Sequence, residues 1–341
     1  MSERALVTSP VGKLLSVQNL EVHFPVTRGV FLPKTVGVVR AVDGISFDLG
    51  RGETLGLVGE SGCGKSTVGR ALARLIPAAG GKVVFDGEDI LRLQGRALRR
   101  HRPNLQMIFQ DPFASLNPRM TVGSLIAEPL RANDYGSPRV IEARVRELVE
   151  LCGLSPRDVR RFPHEFSGGQ RQRVAIARAI ALSPAFIVAD EPLSALDVSI
   201  RAQIMNLLLG LQRTFGLTML FISHDMAAVR HLADRVAVMY LGKLVEVAPA
   251  KAIYRQPVHP YTQALNAAIP FPDPEVSRAR PPAVLSGEVP SPTNPPTGCR
   301  FHTRCPLYRT LPADRQLACR QREPELRRVA TDHVAACHWT G

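Results

Sequence analysis

Apolar residues along the first part of the chain follow two rhythms. Short unbroken runs such as TLGLV (Thr54 to Val58) and AFIVAD (Ala185 to Asp190) have the length and make-up of buried strands. VGRALARLI (Val68 to Ile76) instead repeats its apolar residues at helical spacing, as does a run near Val140 to Cys152. From about Leu14 to Ala250 the two rhythms alternate, which predicts an α/β fold with a parallel sheet. Beyond Tyr254 prolines cluster, in PFPDPE and PSPTNPPTGC, and a small loop-rich extension is expected there. The expected domains are residues 1–255 and residues 256–341.

Between the strand TLGLV and its following helix stands GESGCGKST, comprising Gly59, Glu60, Ser61, Gly62, Cys63, Gly64, Lys65, Ser66 and Thr67. Backbone N–H groups pointing into one turn can hold a phosphate only where no Cβ blocks the approach, which accounts for glycine at three of these positions. Lys65 adds a charge for the β- and γ-phosphates and Ser66 a hydroxyl for Mg²⁺. A strand, a glycine loop and a helix N-terminus together make an anion site. An ordinary glycine-rich turn is the alternative for the loop taken alone.

The chain has 341 residues, enough for one α/β domain and an appendage, and its hydrophobic fraction of 45% permits a real core. The formal charge of +13 is compatible with nucleic acid, an anionic membrane or acidic partners. Its only dense basic cluster, LRLQGRALRRHR (Leu91 to Arg102), reads as a solvated helix, and no nucleic-acid partner is expected. The first residues lack a long apolar stretch, and nothing approaches the roughly 18 continuous apolar residues of a membrane span. A cytoplasmic protein, able to sit against a membrane protein, is the expectation.

AFIVADEP closes its strand on two acids. Asp190 at the strand end is suited to organise Mg²⁺, and Glu191 to polarise a water for in-line attack on a γ-phosphorus. Just before it, FSGGQRQRVAIARA opens a helix with Ser167, Gly168, Gly169 and Gln170, a second cradle of N–H groups. A simple capped helix would explain the serine but not both glycines. At this point the chain resembles the ATP-binding cassette (ABC) family, whose LSGGQ-type signature is present as FSGGQ with Phe166 in place of leucine.

The resemblance implies further roles, one residue at a time. Gln110 of MIFQDP matches the family's Q-loop glutamine on the Mg²⁺ and water side, Asp197 of SALD the D-loop at a dimer interface, and His224 of FISHD the switch histidine at the γ-phosphate. An aromatic that stacks on adenine is expected at Phe24 or at Phe31. The implied fold is an ABC-type P-loop nucleotide-binding domain with a RecA-like core, an antiparallel β subdomain and a helical subdomain at about residues 111–166. It further implies ATP and Mg²⁺ as cofactors, catalysis by Glu191, His224, Gln110 and Lys65, and magnesium held by Ser66, Gln110 and Asp190. Two cassettes would close head to tail, so that Ser167 to Gln170 act on the partner's nucleotide.

HPYTQAL (His259 to Leu265), the proline tract and GCRFHTRCP resemble the C-terminal region of ATPase subunits from peptide and nickel importers, most nearly F-type subunits of dipeptide and oligopeptide permeases. The implied partners are a homologous ABC ATPase, two transmembrane permeases and an extracytoplasmic substrate-binding protein, with the chain peripheral on the cytoplasmic face of the inner membrane. Four of six cysteines, Cys299, Cys305, Cys319 and Cys337, fall in this region with C-x5-C-x13-C-x17-C spacing. Clustered thiols in a cytosolic chain point to metal ligation, by zinc or an iron–sulfur cluster. The resemblance implies a [4Fe-4S] cluster, with zinc or unligated thiols as alternatives. Cargo could be dipeptide, oligopeptide, nickel or another solute. Two rival readings are a soluble ABC ATPase of translation or DNA repair, although the second cassette or coiled-coil insertion usual there does not appear, and a nucleic-acid-binding protein that would explain the +13 charge.

Overall fold

The structure is a computed structural model, and residues 12–29, 34–269 and 287–340 are described. Its strands are β1 (Lys13–Arg28), β2 (Lys34–Gly50), β3 (Thr54–Val58), β4 (Gly80–Phe85), β5 (Glu88–Asp89), β6 (Leu105–Ile108), β7 (Phe186–Asp190), β8 (Thr218–Ser223), β9 (Arg235–Tyr240), β10 (Lys243–Pro249), β11 (Arg327–Ala330) and β12 (His333–Ala335). The fold divides into two compact units. Among the described residues, one comprises those up to Gly50, Leu55–Leu91 and those from His224 onward; the other comprises Arg51–Thr54 and Arg92–Ser223.

In the first unit β2, β1, β4 and β5 form an antiparallel sheet in that order. Its inward residues, among them Leu15, Val17, Val42, Ile45, Phe47 and Val83, are buried, as a half-covered antiparallel sheet requires. A second set of strands in this unit runs β11, β12, β10, β9, β3. β3 and β9 are parallel, with Leu57 opposite Ala237, and both are buried throughout. Such strands read as continuous apolar runs, which is the pattern TLGLV shows. The C-terminal extension contributes structure as well as loops: β12 pairs with β10, Val334 opposite Val247, and helices span Pro260–Ala267, Pro306–Thr310 and Ala313–Gln321.

In the second unit β6, β7 and β8 are parallel neighbours, with Ile108 opposite Ala189 and Asp190 opposite Ile222. Their C-terminal ends therefore lie along one edge, where α/β sheets present their ligand-binding loops. Helices Val122–Ala132, Pro138–Leu151, Gly168–Ala179 and Val198–Phe215 complete the unit. The basic helix Gly95–His101 buries none of its residues, as a solvated helix should. Among the described residues no helix is long and apolar enough to cross a membrane.

Candidate functional site

The loop after β3 is tightly built. Gly64 has φ +109° and caps the helix Lys65–Leu72; a Cβ there would stand 2.1 Å from the Ala41 carbonyl oxygen, so only glycine fits. Lys65 is 4% exposed, and its ammonium donates to the carbonyls of Gly59 at 2.7 Å and Glu60 at 2.9 Å. Cys63 is buried beneath the loop, and burial raises its thiol pKa despite the lysine nearby. Ser61 and Gly62 are exposed, Ser66 and Thr67 half-buried. Glu60 is held at both ends by the extension. Its N–H donates to the Tyr261 hydroxyl at 2.8 Å, and its carboxylate takes both arms of the Arg304 guanidinium, at 2.7 and 3.0 Å.

In the second unit the sheet edge gathers the acids and the glutamine. Asp190 ends β7 fully buried, and the next residue, Glu191, accepts from the Gln110 amide at 3.1 Å. Glu191 stands at φ +46°, a left-handed conformation rare for its type, and its N–H donates to the Ile222 carbonyl at 2.9 Å. The Ser194 hydroxyl donates to the Glu191 carbonyl at 3.0 Å, pinning the turn from the other side. Backbone strain of this kind persists only where surrounding bonds over-determine it, and it concentrates at functional turns. His224 is the exposed residue immediately after β8.

The signature segment is a reciprocal cap. Ser167 Oγ accepts from the Gln170 N–H at 3.3 Å, and Gln170 Oε1 accepts from the Ser167 N–H at 3.0 Å. Gly168 is exposed, whereas Gly169 is buried, and a Cβ on it would come 2.5 Å from Ile200 Cγ2. Asp197 caps the helix Val198–Phe215, accepting from the Ile200 N–H and the Ser199 hydroxyl, both at 3.0 Å, and these bonds hold its carboxyl below the usual range. Phe24 lies on β1, opposite Val39 and 42% exposed, so its ring is available for stacking. Phe31 lies outside the described residues.

Cys299, Cys305, Cys319 and Cys337 line one cavity of about 20 Å³ together with His259, Phe301 and Trp339. Burial pushes the Cys299 thiol up to about 12 and raises those of Cys305 and Cys319. Trp339 Nε1–H donates to the Cys319 sulfur at 3.2 Å, and the Tyr308 N–H to the Cys305 sulfur at 3.4 Å. Such donors favour thiolates and are what sulfur ligands of a metal group receive from their surroundings. The donor chemistry thus fits an all-thiolate group. Even so, among the described residues no three His, Cys, Asp or Glu side chains converge closely enough to hold a metal ion.

Two contacts of the extension could not be read from the sequence. HPYT marks a family branch, but nothing in it signals that its tyrosine binds residue 60, 201 positions earlier, and Arg304 carries no signal at all. Glu246 did carry one, a lone carboxylate in the apolar run KLVEVAP. It is fully buried and accepts from Val258 N, His259 N and His333 Nε2.

A family model for the ABC transporter matches residues 42–194, and one for the oligopeptide/dipeptide transporter C-terminal region matches residues 245–310. The Oligopeptide transport ATP-binding protein AppF of Bacillus subtilis (strain 168) is 51% identical over 326 residues, covering 95% of this chain and 97% of its own. Among solved structures, a dimeric ATP-binding cassette in a post-hydrolysis state bound to ADP and phosphate aligns with a TM-score of 0.62 and 27% identity, over 69% of this chain and 98% of its own. The cbiO1 protein from Clostridium perfringens, part of the ABC transporter complex cbiONQ, aligns with a TM-score of 0.61 and 26% identity, over 72% and 92%. With half its residues shared along nearly the whole length, and with the P-loop α/β fold of the solved cassettes, the chain belongs to the ABC transporter ATPases that carry the oligopeptide transporter C-terminal region.

Proposed function

We propose that this chain hydrolyses ATP to power import of di- or oligopeptides, as one of two cassettes in a membrane transporter. One observation carries the reading: a cassette at residues 42–194 is followed, in the same chain, by the oligopeptide/dipeptide transporter region at 245–310. Nickel complexes or other small solutes are the alternative cargo within the same importer group. The division of labour is a nucleotide-binding domain over residues 1–255, with its helical part at about 111–166, and an extension over 256–341. The partners are a homologous ABC ATPase, two transmembrane permeases and an extracytoplasmic substrate-binding protein, with this chain peripheral on the cytoplasmic face of the inner membrane. A groove of about 1050 Å³ lined by Ser124, Ala127, Arg131, Ile141, Glu142 and Val159 supports docking of a permease segment on the helical part.

Gly59 to Thr67 would cradle the triphosphate, with the Lys65 ammonium turned from the loop carbonyls to the β- and γ-oxygens, and Phe24 would stack on the base. Magnesium, when bound, neutralises phosphate charge; Ser66 would ligate it, and Gln110 and Asp190 would face it, the latter through water. Glu191 would accept a proton from the attacking water as that oxygen bonds to the γ-phosphorus and the bond to the bridging oxygen breaks. The Gln110 amide, already donating to Glu191, orients that carboxylate. His224 would contact the γ-phosphate, Ser167 to Gln170 the nucleotide of the partner cassette, and Asp197 the dimer interface.

Glu191→Gln tests the assignment. The variant should bind ATP as the wild type does, while turnover falls by about 10²–10⁴-fold, the usual worth of a general base. Near-normal turnover would remove Glu191 from the role.

The four cysteines of the extension would hold a [4Fe-4S] cluster, with zinc as the alternative ligand. Their shared cavity and the N–H groups directed at two of the sulfurs support it. Iron, acid-labile sulfide and zinc should be measured on chain purified without oxygen. About four irons and four sulfides, lost in Cys299→Ser, are expected for such a cluster. A single zinc would replace it, and metal-free protein would end the proposal.

A further inference from the structure

The extension grips the phosphate loop at Glu60. Glu60 is the second residue of that loop, and its backbone N–H and its carboxylate are both taken by residues more than two hundred positions later. Its backbone N–H is bound by Tyr261, and its carboxylate is paired with Arg304 through two hydrogen bonds. Neither partner is a surface side chain. Tyr261 is fully buried in a cluster with Tyr240 and Phe301, at centroid distances of 4.8 and 5.3 Å, and the Arg304 side chain is 6% exposed against 26% for Glu60. A bidentate arginine–carboxylate pair fixes direction as well as distance. The same residue's carbonyl accepts from Lys65, so the clamp extends to the lysine of the loop.

We infer that Tyr261 and Arg304 are positioning residues for the triphosphate: they hold residue 60 so that the N–H groups following it face the nucleotide, and they neutralise the one carboxylate in the loop. The inference rests on the ATP site proposed above. A glutamate beside a polyanion would repel it, and the Arg304 charge at 2.7 Å removes that repulsion at its source. A loop already held in place loses less freedom when ligand binds, which appears as affinity. Glycine loops of this kind rely on backbone N–H groups, so their conformation is itself the binding determinant.

The test uses the full chain, titrated with Mg-ATP by calorimetry, with thermal unfolding followed in parallel. Arg304→Ala should weaken ATP binding by about tenfold, equivalent to ~1.4 kcal/mol. Arg304→Lys, which keeps the charge and loses the fork, should fall between the two. If the alanine variant does not fold, Tyr261→Phe serves, because it keeps the buried ring and removes only the oxygen on the Glu60 N–H; it should also bind ATP several-fold more weakly. Since Arg304 acts through Glu60, the double variant Glu60→Gln with Arg304→Ala should bind no more weakly than Arg304→Ala alone. A lowered melting temperature with unchanged ATP affinity would mean that the contacts serve stability only and would overturn the inference, as would additive losses in the double variant. A wild-type chain that fails to bind ATP would overturn the proposed site and this inference together, whereas normal binding by wild type and both single variants would overturn the inference alone.

Discussion

His259 is 1% exposed, and its imidazole is committed to the neutral form: Nδ1 accepts from the Tyr261 N–H at 3.1 Å, and burial lowers its pKa from 6.5 to about 4 although the Glu246 carboxylate pulls the other way. The unfolded chain therefore takes up a proton near pH 6.5 that the folded chain refuses, so stability is full above that pH and is lost as pH falls toward 4. Between pH 7 and pH 5 this one group should cost about 2 kcal/mol. Burial works to raise the Glu246 carboxyl, but the bonds from His333, Val258 and His259 outweigh it and hold the group below 4.5. Its own loss of stability begins only below that pH. His259→Asn keeps a side-chain acceptor at this helix cap, so unfolding measured from pH 7 to 5 should be flatter for the variant. Equal slopes for the two proteins would place the titration elsewhere. Glu191 shows a different economy, a left-handed backbone at φ +46° that a sequence reading cannot see, since DE after an apolar strand is equally compatible with an ordinary exposed loop.

At the level of elements, the helix Gly168–Ala179 shows where motif reading stops. Ser167 and Gln170 form a reciprocal cap, so the outer half of FSGGQ is explained by local hydrogen bonding and is legible in sequence. The second glycine is explained by a neighbour, Ile200 on the helix Val198–Phe215, which no spacing rule reveals. Gly169→Ala would force a methyl to within 2.5 Å of Ile200 Cγ2 unless the helices part, and overpacking of this sort costs about 1–3 kcal/mol. The loss should appear as a lower denaturant midpoint. Ile200→Ala should then cost less in the Gly169→Ala background than in wild type, because it removes the clashing methyl. Equal costs in both backgrounds would show that the two positions do not touch. The strands were easier to read: TLGLV and AFIVAD are continuous apolar runs because β3 and β7 are covered on both faces.

For the chain as a whole, the alternation of strands and helices up to about residue 250 was legible because each element must bury its own apolar pattern. The phosphate loop was legible because its chemistry demands small residues at set positions. The order within the extension was not, since prolines and short helices mask it and its organising contacts, Val334 on Val247 and Arg304 on Glu60, join positions far apart in sequence. That last separation sets an order of events during synthesis. Glu60 leaves the ribosome 244 residues before the arginine that pairs with it, an interval of roughly 10–50 s at about 5–20 residues per second. Through that interval the nascent chain holds a finished phosphate-loop sequence without the arginine that pairs with its carboxylate, so, on the inference drawn above, the nucleotide grip would mature only after the C-terminal region has been translated.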